Sequence, residues 1–333
     1  MKRLWADIAP RARLLLGLLL VLFLGLPAIA DRYVLSVLIL VLYFVFVGQA
    51  WNLLMGFAGQ LSLGHALYVG LGAYVAAALW LQYGIGPWLG VFAAMAVAAA
   101  CGLAVGWLGW RFSIEGVYFA LLTIAFAEFT RIAFDHIQVT GASGGLFLPV
   151  SPDQAGQWWN LRGGPLLFYY LALILAVSAT LLLARLRRSP LGYQWLAVRE
   201  DPDAAAALGV DVFRARMAAM LISSSMTAVA GVFYAFYYRN LFPAQVFDIG
   251  RSIELILAPI IGGLGTIFGP VVGAFILTPL GEALIAATER GGLNASGTKA
   301  VFYGLALMAI IWLRPNGVWP WLAAILGLTD RRK

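Results

Sequence analysis

Hydrophobic residues fall along this chain in long runs, at roughly 14–30, 34–54, 66–83, 87–110, 114–134, 166–185, 216–238, 252–263, 267–287 and 299–313. A bilayer core is matched by about 20 apolar helical residues, and most of these runs approach that length. They lack the alternating polarity of membrane β-barrel strands. The pattern predicts an all-α polytopic membrane protein of about ten transmembrane helices, one membrane domain over 1–333. Composition agrees: 11% of residues are charged, against about 25% in soluble domains.

The placement of charge orients the spans. Threading them alternately from an inside N-terminus puts fifteen of the 22 Lys and Arg residues inside, so the positive-inside rule predicts cytoplasmic termini. The most basic loop, 186–215, is then cytoplasmic, and 135–165 is an external loop. The net charge of +7 reflects this asymmetry and needs no nucleic-acid partner. Trp158 and Trp159 suit the membrane interface. The first run has a basic flank and a small-x-small ending at Ala28 and Ala30, like a signal peptide; we expect it to stay as an uncleaved helix.

Polar residues inside the runs are the candidate pathway groups. Asn52, Gln60, Ser62, His65 and Glu128 lie in or beside apolar segments, where polar side chains are costly and face the protein interior or a wet cavity. Gly56, Gly59 and Gly64 permit a broken helix, whose free amides would suit a carboxylate; close helix packing is the competing reading. His65 is a proton shuttle or a hydrogen-bonded structural group. Glu128 and Arg131 share a helix face. Glu254 and Glu282 either pair with Arg251 and Arg290 or bind an ammonium group. "GHALYVGLGAY" from Gly64 and "GTIFGPVVGAF" from Gly265 form a weak internal echo. Gly265, Gly269 and Gly273 predict a close-packing helix face. Ser223, Ser224, Ser225 and Thr227 read as groups bonding backbone carbonyls.

Within the basic loop stands "REDPDAAAALG", Arg199 to Gly209. Asp201 is a good N-cap, Pro202 fits the first helical turn, Asp203 favours the positive end of the dipole, and Gly209 suits a C-terminal stop. The predicted helix, about 202–208, is too short to stand alone in water. It is either a connector packed on its own protein or a plug for a cytoplasmic partner.

The segment from Arg199 through "VDVFRARMAAMLISSSMTAVAGVFYA" resembles the cytoplasmic loop and following helix of ABC-importer permeases of the branched-chain amino-acid family, LivM type. "NLLMGFAGQLSLGHALYVGLGAY", "EGVYFALLTIAFAE", "TGASGGL" and "GGLGTIFGPVVGA" resemble family segments in the expected order. The family's external Gly-Gly-Ser-Asn-Gly reads Gly141-Ala142-Ser143-Gly144-Gly145 here, so any role of that asparagine does not carry over. The resemblance implies a permease subunit importing a small zwitterion, most often Leu, Ile or Val, by alternating access; urea and short amides are cargo of close relatives. It implies that Arg199, Glu200, Asp201, Pro202, Asp203 and Gly209 form an ATPase-coupling segment. The implied partners are a LivH-type permease, two ATP-binding subunits that use ATP and Mg, a periplasmic binding protein and lipid, in a bacterial inner membrane.

The chain has no Walker A motif, HExxH motif, GxSxG elbow or clustered metal ligands. It therefore reads as a transport subunit that is not itself an enzyme and binds no cofactor. A proton-coupled carrier using His65 or Glu128 is the alternative of a different class.

Overall fold

A computed structural model describes residues 17, 21–149, 160–290 and 297–326. Residues 14–16 and 18–20 of the first hydrophobic run, Trp158, Trp159 and both ends of the chain lie outside the described residues. The architecture is a helical bundle: α1 Arg32–Asn52, α2 His65–Tyr83, α3 Pro87–Arg111, α4 Val117–His136, α5 Pro165–Arg187, α6 Pro190–Glu200, α7 Pro202–Ala207, α8 Val212–Tyr238, α9 Pro243–Val246, α10 Ile249–Gly262, α11 Gly269–Arg290, α12 Thr298–Leu313 and α13 Val318–Ile325. A two-residue ribbon, β1 Leu146–Phe147 against β2 Asn240–Leu241, pairs antiparallel and ties the segment after α4 to the end of α8.

Seven of the described helices are long and apolar enough to cross a membrane: α1 with the turn that extends it, α2, α3, α4, α5, α8 and most of α11. The chain is a multi-pass membrane protein. Of the other three predicted spans, 14–30 is described at residue 17 and over 21–30, where it closes in a single tight helical turn at Leu26–Ala28. The run at 252–263 forms α10, only 14 residues or about 21 Å, and 299–313 forms the 16-residue α12. α10 is short because the Gly263–Phe268 turn interrupts the hydrophobic run before α11 resumes it.

The centre of the bundle is α1, buried without a break from Val41 to Leu54. α1 packs against α5, α8, α10 and α11, while α2, α3 and α8 pack mutually against one another. Small residues set these approaches. A side chain at Gly72 would strike the Ala228 carbonyl of α8, and one at Gly273 would strike the Ala258 carbonyl of α10. These two glycines are equivalent in the internal echo, and each follows a broken segment. The predicted three-glycine face is corrected in one respect: Gly265, with φ +70°, belongs to the turn and not to α11.

The serine and threonine residues of α8 behave as expected. Ser224, Ser225 and Thr227 donate to carbonyls three or four residues back, whereas Ser223 donates across to Ala50 on α1.

Candidate functional site

At Leu53–Phe57 the end of α1 widens into a π-turn, and the chain stays irregular until α2 begins at His65. Backbone without helical partners is tolerated at membrane depth only where protein satisfies it. Here several of its amides are satisfied by the protein. Gly59 takes φ +71°, a conformation that costs glycine little. Leu63 N donates to Thr123 Oγ1 at 3.0 Å, and Ala66 N to Ser252 Oγ at 3.0 Å. The expected break is present, and side chains of the chain itself occupy these two amides.

Asn52 joins the first break to the second. Its Nδ2 donates to Thr266 O at 2.8 Å, and its Oδ1 accepts from Gly265 N at 2.9 Å. Gln49 adds a bond to Ile267 O at 2.7 Å. Gln60 accepts from Trp110 Nε1 at 3.0 Å. Ser62 and His65 are both wholly buried. Ser223 spends its hydroxyl proton on the Ala50 carbonyl at 2.7 Å, so it accepts from His65 Nε2–H at 3.0 Å. His65 Nδ1 is left to accept from Ser62 Oγ at 3.1 Å. The imidazole is thus a neutral pin between α1, α2 and α8, since a charge buried there would need a counter-charge.

Glu128 lies apart from this cluster, on the exposed face of α4. Arg131 grips it through Nε at 2.9 Å and reaches Asp135 through Nη1 at 2.8 Å. The i,i+3 pair was predicted; Asp135, one further step along the same face, was missed. At the start of α4, Glu115 pairs with the buried Arg216 of α8 at 2.5 Å. Glu254 pairs with Arg251 as one of the two readings expected, whereas the side chain of Arg290 is outside the described residues.

The basic loop forms two helices of different character. α6, which was not predicted, is anchored: Ser189 caps it, and the wholly buried Trp195 donates to Ala215 O at 2.8 Å. Asp201 Oδ1 caps α7 by accepting from Asp203 N at 2.9 Å and Ala204 N at 3.0 Å. Gly209 supplies the stop with φ +88°. Within α7 only Ala205 is buried. Leu208, immediately after it, is 85% exposed. A leucine in so apolar a chain gives no sequence signal that it projects into solvent.

Arg199 points inward, as does Arg187, whose guanidinium lies 6.0 Å from the ring centre of Phe57. Arg199 Nη1 donates to Gly56 O at 2.6 Å, while Nε contacts Glu200 at 3.2 Å. Its side chain lies against Gly59 and Gly265, where a Cβ would come within 2.9 Å and 2.8 Å of it. One guanidinium therefore touches both broken segments and begins the loop's protruding tip. Among the described residues no group of three metal-ligating side chains occurs.

Two interrupted membrane helices joined at their breaks, with a protruding polar helix beside them, are features of a transport permease. The chain belongs to the family described as branched-chain amino acid transport system / permease component, whose model matches residues 33–312. It is 28% identical to the high-affinity branched-chain amino acid transport system permease protein LivM of Escherichia coli K12, over 93% of this chain and 75% of that protein. It is 25% identical to the corresponding LivH of the same organism, over 83% and 90%. A probable LivM of Methanocaldococcus jannaschii is 23% identical, over 84% and 90%. No solved structure matches.

Proposed function

We propose that this chain is the permease subunit of an ABC importer that moves branched-chain amino acids inward across a bacterial inner membrane. Family membership over residues 33–312 carries the reading. The relatives named LivM and LivH support a pair of such permeases. In this reading the whole chain is one membrane domain of about ten spans with both termini cytoplasmic. Residues 135–165 face a periplasmic binding protein, and the 186–215 loop faces two ATP-binding subunits that use ATP and Mg.

The coupling segment is Arg199–Gly209. Glu200, Asp201, Pro202 and Asp203 shape and charge the exposed end of α7, Gly209 terminates it, and Leu208 enters an apolar recess of the ATPase. Arg199 carries the displacement inward to Gly56. Asn52, Gln60, Ser62 and His65 are positioning groups that hold the broken helix beside the pathway, and Glu128, on the exposed face of α4, borders the pathway from outside this cluster. The buried, doubly bonded His65 argues against a proton-coupled carrier.

The test is radiolabelled leucine uptake into proteoliposomes holding this chain with its permease and ATPase partners, with ATP on the loop side, binding protein opposite and the proton gradient collapsed. Uptake that requires both ATP and binding protein is expected. Uptake by this chain alone, driven by a proton gradient, would refute the reading.

A further inference from the structure

The α10 helix carries a second charged pair, deeper in the protein than Glu128 and Arg131. Arg251 Nη1 donates to Glu254 Oε2 at 2.7 Å, with only 18% and 13% of the two side chains exposed. Aromatic residues from three other helices surround it. The guanidinium lies 5.0 Å from the ring centre of Tyr234 and 5.9 Å from that of Phe44. Tyr238 packs against Tyr234 at 4.5 Å, and the Tyr303 hydroxyl stands 3.5 Å from Glu254 Oε1. Ionisable groups buried inside a membrane protein are costly and mark substrate or ion paths.

Tyr43 on α1 adds an independent observation. Its hydroxyl is buried without a hydrogen-bond partner among the described residues. Its ring centre lies 6.4 Å from that of Tyr234, the same ring that the Arg251 guanidinium faces. A pair serving only to join helices would not need a hydroxyl left unsatisfied beside it, because that omission costs stability. The arrangement offers a guanidinium and an idle O–H donor on one side, and a carboxylate with π-faces on the other. Ile249 and Ile253, both partly exposed, supply an apolar border.

We propose that Arg251, Glu254 and Tyr43 form an intramembrane contact for a zwitterionic α-amino acid. This rests on the permease reading and names where its cargo is held. The cargo's carboxylate takes the guanidinium and the Tyr43 hydroxyl. Its ammonium takes Glu254 and the faces of Tyr234 and Tyr238, and its aliphatic tail lies along Ile253. Two opposite charges entering beside two opposite charges leave the net charge of the site unchanged. A lone anion or cation would leave one buried charge in excess, and a neutral amide would forgo the ionic contacts.

The experiment uses the complete permease–ATPase complex in nanodiscs, without binding protein, titrated with leucine and read by saturation-transfer NMR. Tyr43→Phe removes an oxygen that has no hydrogen-bond partner among the described residues, so its melting temperature should equal or exceed that of the wild type. Its affinity for leucine should fall about tenfold or more, as loss of a hydrogen bond to a charged group does. Leucinamide and isocaproate, each lacking one charge, should compete poorly. Unchanged leucine affinity in Tyr43→Phe overturns the site, as does absence of leucine binding to the wild type. ATP-driven leucine uptake by the wild-type complex, measured in parallel, separates the two ideas: if uptake persists while the site fails, the permease reading stands.

Discussion

Arg199 and Gly56 are 143 positions apart in sequence, yet the guanidinium of one donates to the carbonyl of the other at 2.6 Å. Charge-assisted hydrogen bonds are the stronger ones, and this one links the loop's tip to the break after α1. Replacing Arg199 with alanine should lower leucine import at least tenfold and cost about 1.5–3 kcal/mol of permease stability. ATPase recovery on co-purification should stay within about twofold of wild type. Loss of ATPase recovery with unaltered permease stability would instead assign the guanidinium to the partner.

Leu208 is expected to behave in the opposite way. Nothing in this chain depends on it for burial, so Leu208→Glu should leave the melting temperature within a degree or two while reducing ATPase recovery severalfold. Replacing Glu200, Asp201 and Asp203 together by alanine should also weaken recovery, because it removes the N-cap, worth about 1 kcal/mol, and the local charge. Membrane insertion should persist in both variants. Normal complex recovery and transport would show that α7 is only a connector.

The tautomer of His65 leads to a test by pH. With Nε2–H donated to Ser223 and Nδ1 accepting from Ser62, no proton need enter or leave between pH 5.5 and 8. ATP-driven uptake should show no step in that range attributable to His65. His65→Ala should leave the acceptor capacity of Ser223 and the donor of Ser62 unmatched, at about 1–3 kcal/mol for each buried group. Thermal unfolding of the purified complex reports that loss. A transport profile whose midpoint disappears in His65→Ala would restore the proton-shuttle role.

Gly72 and Gly273 should be comparably intolerant of substitution. In each case a Cβ meets the backbone of a crossing helix, and backbone cannot rotate away. Valine at either position should abolish a monodisperse peak in fluorescence-detected size exclusion, whereas Gly304→Val, at a glycine with open space around it, should not. Tolerance at Gly72 alone would separate the two halves of the echo.

Features governed by near neighbours in sequence were legible before the structure. The Asp201 cap, the Gly209 stop and the Glu128–Arg131 pair all follow from spacing on a helix. The break after α1 was legible as a run of glycines and polar residues, but the partners that fill it were not. Asn52 meets Gly265 across 213 positions, and no local pattern encodes such a meeting. Arg199 read as one more loop charge for the same reason. Tyr43 sits in an apolar run as an ordinary aromatic, and only the tertiary arrangement brings it to Tyr234, the ring that Arg251 faces. The end of α10 was legible, because the hydrophobic runs 252–263 and 267–287 are separated at the turn between α10 and α11.

The Asn52–Gly265 contact also has a consequence for how the protein is made. During synthesis the end of α1 enters the bilayer long before the residues that satisfy Asn52 have left the ribosome. For the more than two hundred residues between them, that side chain must find water, lipid headgroups or a chaperone. Nascent chains arrested before residue 265 should therefore be substrates for membrane quality control, and the earliest helix of the central core should be among the last to acquire its final hydrogen bonds.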